Sequence, residues 1–297
     1  MNRNKTSTDT MVSIGMPVYN GSEFIRKALD SLLNQTHGNF ELIISDNQST
    51  DNTEIIINEY AKKDKRIKYV KSKKNEGAIS NLNKVFNLAR YDYFMWASHD
   101  DLWSKDYIEL CLKGFNYKNN IVLSTVISSI VDSYTENEIA RDDGLDTSKV
   151  NNVNKFISYR RYLRTFPGAD CIFYGLFDRE ALSKVMPMQN VVASDHLLLS
   201  RLSLNGDFYR TPINLFYKRD GGACESINKI VESIRLENKL LTLFPYMARE
   251  YFFQKIIFIT QSIKFHEKMA LSLWSLYDYL DFRFFARVKK LKSRLFK

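Results

Sequence analysis

Four short apolar runs, each followed by a stretch of helical periodicity, fill the first 115 residues, and that alternation leaves few folds open. Residues 11–19 read as a first strand, and Asn20-Gly21-Ser22 as a turn with Ser22 capping a helix. Phe24, Ile25, Ala28, Leu29, Leu32 and Leu33 then recur at helical spacing. Further strands are expected at 41–45, 67–71 and 93–97, with helices at 53–61, 79–89 and from a cap at Ser104 to 115. Such alternation with short connections predicts an α/β domain: a mostly parallel mixed sheet flanked by helices. Two of the strands end in acid, at Asp46 and at Asp100-Asp101. An apolar run that stops at Asp delivers a carboxylate to the sheet's C-terminal edge, where open α/β sheets bind ligands. Two or three carboxylates there suit a hard cation and a phosphorylated ligand.

Beyond residue 115 the pattern loosens. Residues 121–132 read as a strand, 137–154 as a polar, acidic loop, and 156–165 as a short basic helix. Strands are expected at 172–177 and 208–217, with a helix at 195–204 between them. The expected organisation is a polar tail over 1–10, an α/β domain over 11–225 divided near 115, and a helical, basic and aromatic region over 226–297.

With 297 residues, 44% hydrophobic and 26% charged, the chain can bury a substantial core. Its three cysteines, Cys111, Cys171 and Cys224, match neither a disulfide framework nor a zinc spacing. They predict buried thiols in a reducing, cytoplasmic setting. Residues 1–10 lack the apolar core of a signal peptide. No apolar run reaches the roughly 18–20 residues that span a bilayer, so the chain is expected to be soluble or peripheral.

Charge is unevenly placed. Residues 226–297 hold 14 Lys/Arg against 6 Asp/Glu, so nearly all of the net +9 lies there. The near-neutral remainder argues against a nucleic-acid-binding face. Residues 283–297 contain seven Lys/Arg and no acid, with Phe284, Val288, Leu291 and Leu295 on one helical face. A basic amphipathic helix of this kind suits the surface of an anionic membrane. The plainer alternative is a helix packed on the domain or on a second copy in a homodimer.

Four motifs occur in register. They are Ser13-Ile14-Gly15-Met16-Pro17-Val18-Tyr19-Asn20, the run from Glu41 through Asp46 to Thr53, Asn75-Glu76-Gly77, and Ser98-His99-Asp100-Asp101. Together they resemble the nucleotide-binding half of family 2 glycosyltransferases of the GT-A fold, closely over 12–115 and more weakly to about residue 224. The resemblance implies a Rossmann-like GT-A domain with a helical C-terminal appendage. It also implies inverting transfer of a sugar from a nucleotide diphosphate sugar, UDP-linked by expectation, to a glycan or lipid-linked glycan. Such a reaction belongs to cell-surface polysaccharide synthesis at the inner face of the membrane.

The resemblance assigns the nucleotide to Pro17, Tyr19, Asn20, Asp46, Asn75, Gly77, Asn81 and Asp100. An ionised Asp46 can accept from a uracil or thymine imide N–H, or it can instead cap the turn that follows. Asp51 reads as a helix cap. A nucleotide diphosphate leaves poorly until a divalent cation neutralises it, and Asp101 is the expected ligand of Mg²⁺ or Mn²⁺. The family usually carries a further acid just before this position, whereas here Ser98-His99 stand in that slot. A hydrolytic Ser/His/Asp set is the minor alternative for His99, because consecutive residues on a strand alternate faces.

Inversion also needs a base for the acceptor hydroxyl. The resemblance places it at Asp195, which opens the helix of Ser194-Asp195-His196-Leu197, with Ser194 where the family often has a second acid. Asp170 and His196 are expected on the acceptor side. Lys218 and Arg219, ahead of Gly221-Gly222, are expected on a mobile loop that closes over the pyrophosphate. One rival, a nucleotidyltransferase, would want a Gly-rich cationic phosphate loop near the N-terminus, which residues 15–19 lack. The other is an inactive membrane-associated scaffold that retains the fold.

Overall fold

The computed structural model describes residues 9–150, 152–165, 171–191 and 193–220, together with 251, 254, 257, 264–273, 275 and 276. The first seven elements are β1 (Val12–Val18), α1 (Ile25–Leu33), β2 (Phe40–Asp46), α2 (Thr53–Lys63), β3 (Ile67–Lys71), α3 (Ala78–Leu88) and β4 (Tyr93–Trp96). Their strands pair in parallel in the order β3-β2-β1-β4. Side-chain alternation explains why this sheet is covered twice. Val12, Ile14, Met16 and Val18 of β1 pack with Ile25, Ala28, Leu29 and Leu32 of α1 and Ile56 and Ile57 of α2. Across the sheet, Ile43, Phe94 and Trp96 pack with Val85 and Phe86 of α3.

The chain continues through β5 (Leu102–Trp103), α4 (Tyr107–Gly114), β6 (Ile121–Asp132), β7 (Glu138–Asp142), α5 (Asn152–Thr165), β8 (Leu176–Asp178), α6 (Arg179–Ser183), α7 (Ser194–Ser203) and β9 (Asp207–Asp220). The same sheet runs on as β4-β8-β6-β9-β5, with β7 pairing β6 to one side. β8 is antiparallel to both neighbours, and β9 is parallel to β6. One apolar core therefore crosses the midline: Trp96 of β4 stacks on Phe173 at 4.6 Å and meets Phe177 of β8 edge-on at 5.4 Å. Leu198, Leu199 and Leu202 of α7 close the same core, with Tyr159 and Tyr162 of α5.

Three local expectations are corrected. Within the expected loop 137–154, Glu138–Asp142 forms β7 and α5 already begins at Asn152. β7 is an edge strand with four of its five residues exposed, so its polar composition does not oppose pairing. Within 172–177, Cys171–Tyr174 is a 3₁₀ turn and only Leu176–Asp178 is strand. A short buried apolar run has no period that separates these states. Ser22 does not cap α1, which starts at Ile25 without a side-chain cap; its N–H instead donates to Asp51 at 3.0 Å.

Cys111 and Cys171 form no disulfide and are buried, and burial pushes the Cys111 thiol up to about 12. Cys224 and most of 226–297, including 283–297, lie outside the described residues. Among the described residues, no helix is long and apolar enough to cross a membrane.

Candidate active site

The C-terminal edge of β1 and β2 is built by two turns that interlock. Asn20 adopts a left-handed φ of 52°, a region that Asn tolerates better than most residues. Its N–H donates to Ser49 Oγ at 2.9 Å, and its Oδ1 accepts from the Thr50 N–H at 2.8 Å. The Gly21 N–H donates to Thr53 Oγ1 at 2.8 Å. Asp51 accepts from the Thr53 and Ser22 N–H groups, both at 3.0 Å. Burial opposes its ionisation, but the hydrogen bonds from Thr53 and Ser22 outweigh it and hold its carboxyl at about 2. Asp51 thus serves the start of α2, as a cap-like residue should. Tyr19, 45% exposed, leaves this edge toward solvent, while Pro17 pairs with Ser45 inside the sheet.

Asp46 is fully buried where β2 ends. Its Oδ1 accepts from the Ser49 N–H at 2.7 Å and its Oδ2 from the Tyr69 hydroxyl at 3.0 Å. Burial, then the bond to Asp46 and its charge, raise the Tyr69 hydroxyl far above its usual range. Asp46 therefore closes the turn. Beside it, Asn47 ties the end of β2 to the turn of Asn75, Glu76 and Gly77 through three bonds. Its Nδ2 donates to Asn75 Oδ1 at 3.0 Å and to the Gly77 carbonyl at 3.2 Å, and its Oδ1 accepts from the Glu76 N–H at 2.9 Å.

Asn47 was missing from the sequence-derived site; its signal was its place directly after Asp46. Gly77 opens α3 with φ 89°, ψ 162°, a conformation that glycine alone adopts without strain. Asn81, one turn on, donates Nδ2 to the Ser45 carbonyl at 2.8 Å. Asn81 Oδ1 and Ser45 Oγ are both buried and make no hydrogen bond among the described residues. Orphaned polar atoms at a ligand edge ask for a polar partner.

The second group lies past β4. Asp100 and Asp101 are 6% and 3% exposed. Burial, then the charge of Asp100, raises Asp101 well above the usual carboxylate range. The Ser98 hydroxyl donates to Asp100, and the Arg219 N–H donates to Asp101 Oδ1 at 2.9 Å. Two adjacent buried carboxylates repel each other, and a divalent cation relieves that repulsion, so these donors fit Mg²⁺ or Mn²⁺. No group of three His, Cys, Asp or Glu side chains gathers for a metal among the described residues. Diphosphate oxygens and water would therefore complete the shell. His99 has a packing role instead. A methyl group at Gly21 would meet its Cδ2 at 2.5 Å, so the ring lies directly against the β1–α1 turn.

The expectation of a mobile basic loop at 218–219 is corrected. Lys218 and Arg219 lie within β9, paired with Ile130 and Val131. The Arg219 guanidinium is buried: Nη1 donates to the Asp100 carbonyl at 3.2 Å and Nη2 to Glu136 Oε1 at 2.7 Å.

Asp195 lies in the first turn of α7, half-buried, with His196 Nε2 3.9 Å from its Oδ2. The approach to this helix is pinned. Ala193 takes a left-handed φ of 56°, and the Ser194 hydroxyl donates to the Gln189 carbonyl at 2.5 Å. Asn83 of α3 accepts from the Met188 N–H at 2.8 Å and donates to its carbonyl at 3.0 Å. The structure thus gathers Asn20, Asp46, Asn75, Gly77 and Asn81 at one edge and Asp100, Asp101 and Arg219 beside β4. Asp195 and His196 sit together on α7, and Asp170 lies outside the described residues.

Residues 13–186, more than half of the chain, match the family model of glycosyl transferase family 2. The chain belongs to this family. Its membership places it among the transferases, and its sheet is the GT-A sheet that the four motifs implied. It is 38% identical over 104 residues to the putative teichuronic acid biosynthesis glycosyltransferase TuaG of Bacillus subtilis (strain 168), covering 35% of this chain and 41% of that protein. Matches to curated relatives cover between 15% and 45% of those proteins' own lengths.

Among solved structures, S. aureus TarS (residues 1–349) in complex with UDP-GlcNAc aligns with TM-score 0.67 at 16% identity, covering 92% of this chain and 73% of that one. The mannosyltransferase PcManGT of Pyrobaculum calidifontis, in complex with GDP-Man and Mn²⁺, aligns with TM-score 0.50 at 14% identity, covering 91% and 73%. At such identities these likenesses speak for the fold.

Proposed function

We propose that this family 2 glycosyltransferase is an inverting enzyme that moves a sugar from a nucleotide diphosphate sugar, with UDP as the first candidate, to a hydroxyl of a glycan or lipid-linked glycan. The observation that carries the reading is the polar edge at Asp46, Asn75, Gly77 and Asn81, with two orphaned buried oxygens, beside the adjacent acids Asp100 and Asp101. The edge suits a base and ribose, and the acids suit a diphosphate's counter-cation. Asp46 accepts from the base's imide N–H, Tyr19 flanks the ring, and Pro17 and Asn20 line the turn below it. Asp100 contacts ribose or sugar, and Asp101 holds Mg²⁺ or Mn²⁺. When bound, that ion offsets the charge that develops on the leaving diphosphate.

Asp195 takes the acceptor hydroxyl's proton, with His196 beside it. UDP-GlcNAc in TarS, GDP-Man with Mn²⁺ in PcManGT, and the teichuronic acid assignment of TuaG support the donor class, the metal and a polysaccharide acceptor. A thermal-shift screen of UDP, GDP and their sugars, with and without Mn²⁺, tests the donor. Ligand at 100 times its dissociation constant stabilises the fold by about 2.7 kcal/mol. Absence of a shift with every nucleotide would remove the reading.

The same reading sets the enzyme at the inner face of the membrane, held by the basic, amphipathic segment 283–297. Removing 283–297 is expected to abolish sedimentation with anionic liposomes while nucleotide binding persists. Undiminished sedimentation would assign the segment to packing on the domain or to a homodimer.

A further inference from the structure

Arg219 is a long cation turned inward at a ligand edge. It is only 3% exposed, although β9 ends one residue later. Each of its bonds falls on the acidic pair or on what braces it. Its main-chain N–H meets Asp101 Oδ1 at 2.9 Å, and its Nη1 meets the Asp100 carbonyl at 3.2 Å. Its Nη2 meets Glu136 Oε1 at 2.7 Å, and its guanidinium carbon lies 5.2 Å from the centre of the Phe24 ring. One residue thus grips the main chain of the first acid and the carboxylate of the second.

Glu136 is itself held. It sits at φ 57° in the turn that joins β6 to β7. Asp132 Oδ1 builds that turn by accepting from the Tyr134 N–H at 3.1 Å, the Thr135 N–H at 2.7 Å and the Thr135 hydroxyl at 2.9 Å. Lys27 of α1 shares Glu136 Oε1 at 2.7 Å. The acidic pair is therefore braced against α1, the β6–β7 turn and β9 at once. A buried guanidinium needs a fixed counter-charge, which Glu136 supplies. Two of the guanidinium's five donors are engaged by the Asp100 carbonyl and Glu136, and its buried Nε makes no hydrogen bond among the described residues.

We propose that Arg219 is a positioning residue that holds Asp100 and Asp101 in the geometry that takes a divalent cation and the donor diphosphate, with Glu136 as the anchor of its guanidinium. The inference rests on the transferase reading above, and it replaces a direct pyrophosphate contact by Arg219. Partners that orient metal ligands typically change metal affinity by about 10–100-fold when removed.

The test is calorimetric titration of the full chain with UDP, or with GDP where UDP does not bind, over a range of Mn²⁺ concentrations. UMP without metal serves as the control. The variants are Arg219→Lys and Glu136→Gln; the second replaces a side chain still 39% exposed, so its fold is retained. Both are expected to raise the Mn²⁺ concentration that half-saturates diphosphate binding by about tenfold or more, a larger change than any in metal-free UMP affinity, which senses Asp100 only through the ribose. A merely structural loss would lower the two affinities together.

The inference is overturned if Glu136→Gln needs no more Mn²⁺ than the wild type. It is equally overturned if that variant binds the diphosphate more tightly without metal, as a released phosphate-binding arginine would. Metal-independent diphosphate binding by the wild type also overturns it. A wild-type chain that binds no nucleotide removes the transferase reading itself, and this inference with it.

Discussion

Replacing Asp195 by Asn is expected to lower sugar transfer by about 10²–10⁴-fold, the usual contribution of a positioned base, while nucleotide binding stays within error of the wild type. The amide keeps the volume and hydrogen-bonding reach of the carboxylate but cannot take a proton. Its scaffold should survive the change. Asp195 is half-buried in the first turn of α7, and that turn is set by Ala193, by the Ser194 bond to Gln189 and by the Asn83 brace on Met188. None of these contacts uses the Asp195 carboxylate. Steady-state turnover of donor against acceptor, with calorimetric nucleotide affinity measured alongside, gives the answer. Unchanged turnover would remove Asp195 as the base; lost nucleotide affinity would give it a role in folding or donor binding instead.

The first 115 residues could be read closely because their signals are local. Strand, turn and helix follow within a few residues at Val12–Val18, Phe40–Asp46 and Ile67–Lys71, so apolar period and turn chemistry agree there. β6 falls on the expected 121–132 for the same reason. What escaped was long-range or directional. Residue type marked Arg219 as a cation near the site, but its inward turn depends on Glu136, 83 positions away, and on Asp100, 119 positions away. The Lys27–Glu136 pair spans 109 positions and has no periodic signature. Asn47 escaped because a polar residue after a strand reads as an ordinary turn until its three partners are seen. The departure at Ser98-His99 became intelligible only when the ring was found lying against Gly21. β7 was hidden because an exposed edge strand needs no apolar alternation.

The largest stability effect is expected far from the site, at Asp207. This carboxylate opens β9, is fully buried, and meets two lysines. Lys155 of α5 pairs with Oδ1 and is itself almost completely buried, whereas Lys118 reaches Oδ2 at 2.9 Å with half its side chain in solvent. The surrounding main chain is fully engaged: the Asp207 N–H donates to the Asn120 carbonyl at 2.9 Å, and Thr147 exchanges bonds of 2.9 Å with Phe208. Asp207→Asn therefore changes charge with little change in shape. It removes the charge that faces the Lys155 side chain, only 4% exposed, and breaking such a pair from one side costs about 3–5 kcal/mol. Lys118→Met removes the exposed partner and should cost no more than about 1 kcal/mol.

Urea denaturation reads both effects as shifts in midpoint at unchanged slope. The double replacement Asp207→Leu with Lys155→Met removes both charges, and it should recover much of the loss if the penalty comes from the uncompensated ammonium. A loss of under 1 kcal/mol in Asp207→Asn would instead mean that Lys155 reaches solvent when its partner is gone. The consequence extends to the chemistry. α5 packs on α7 through Phe156 and Leu197, so the helix that carries Asp195 rests on the one that Asp207 anchors.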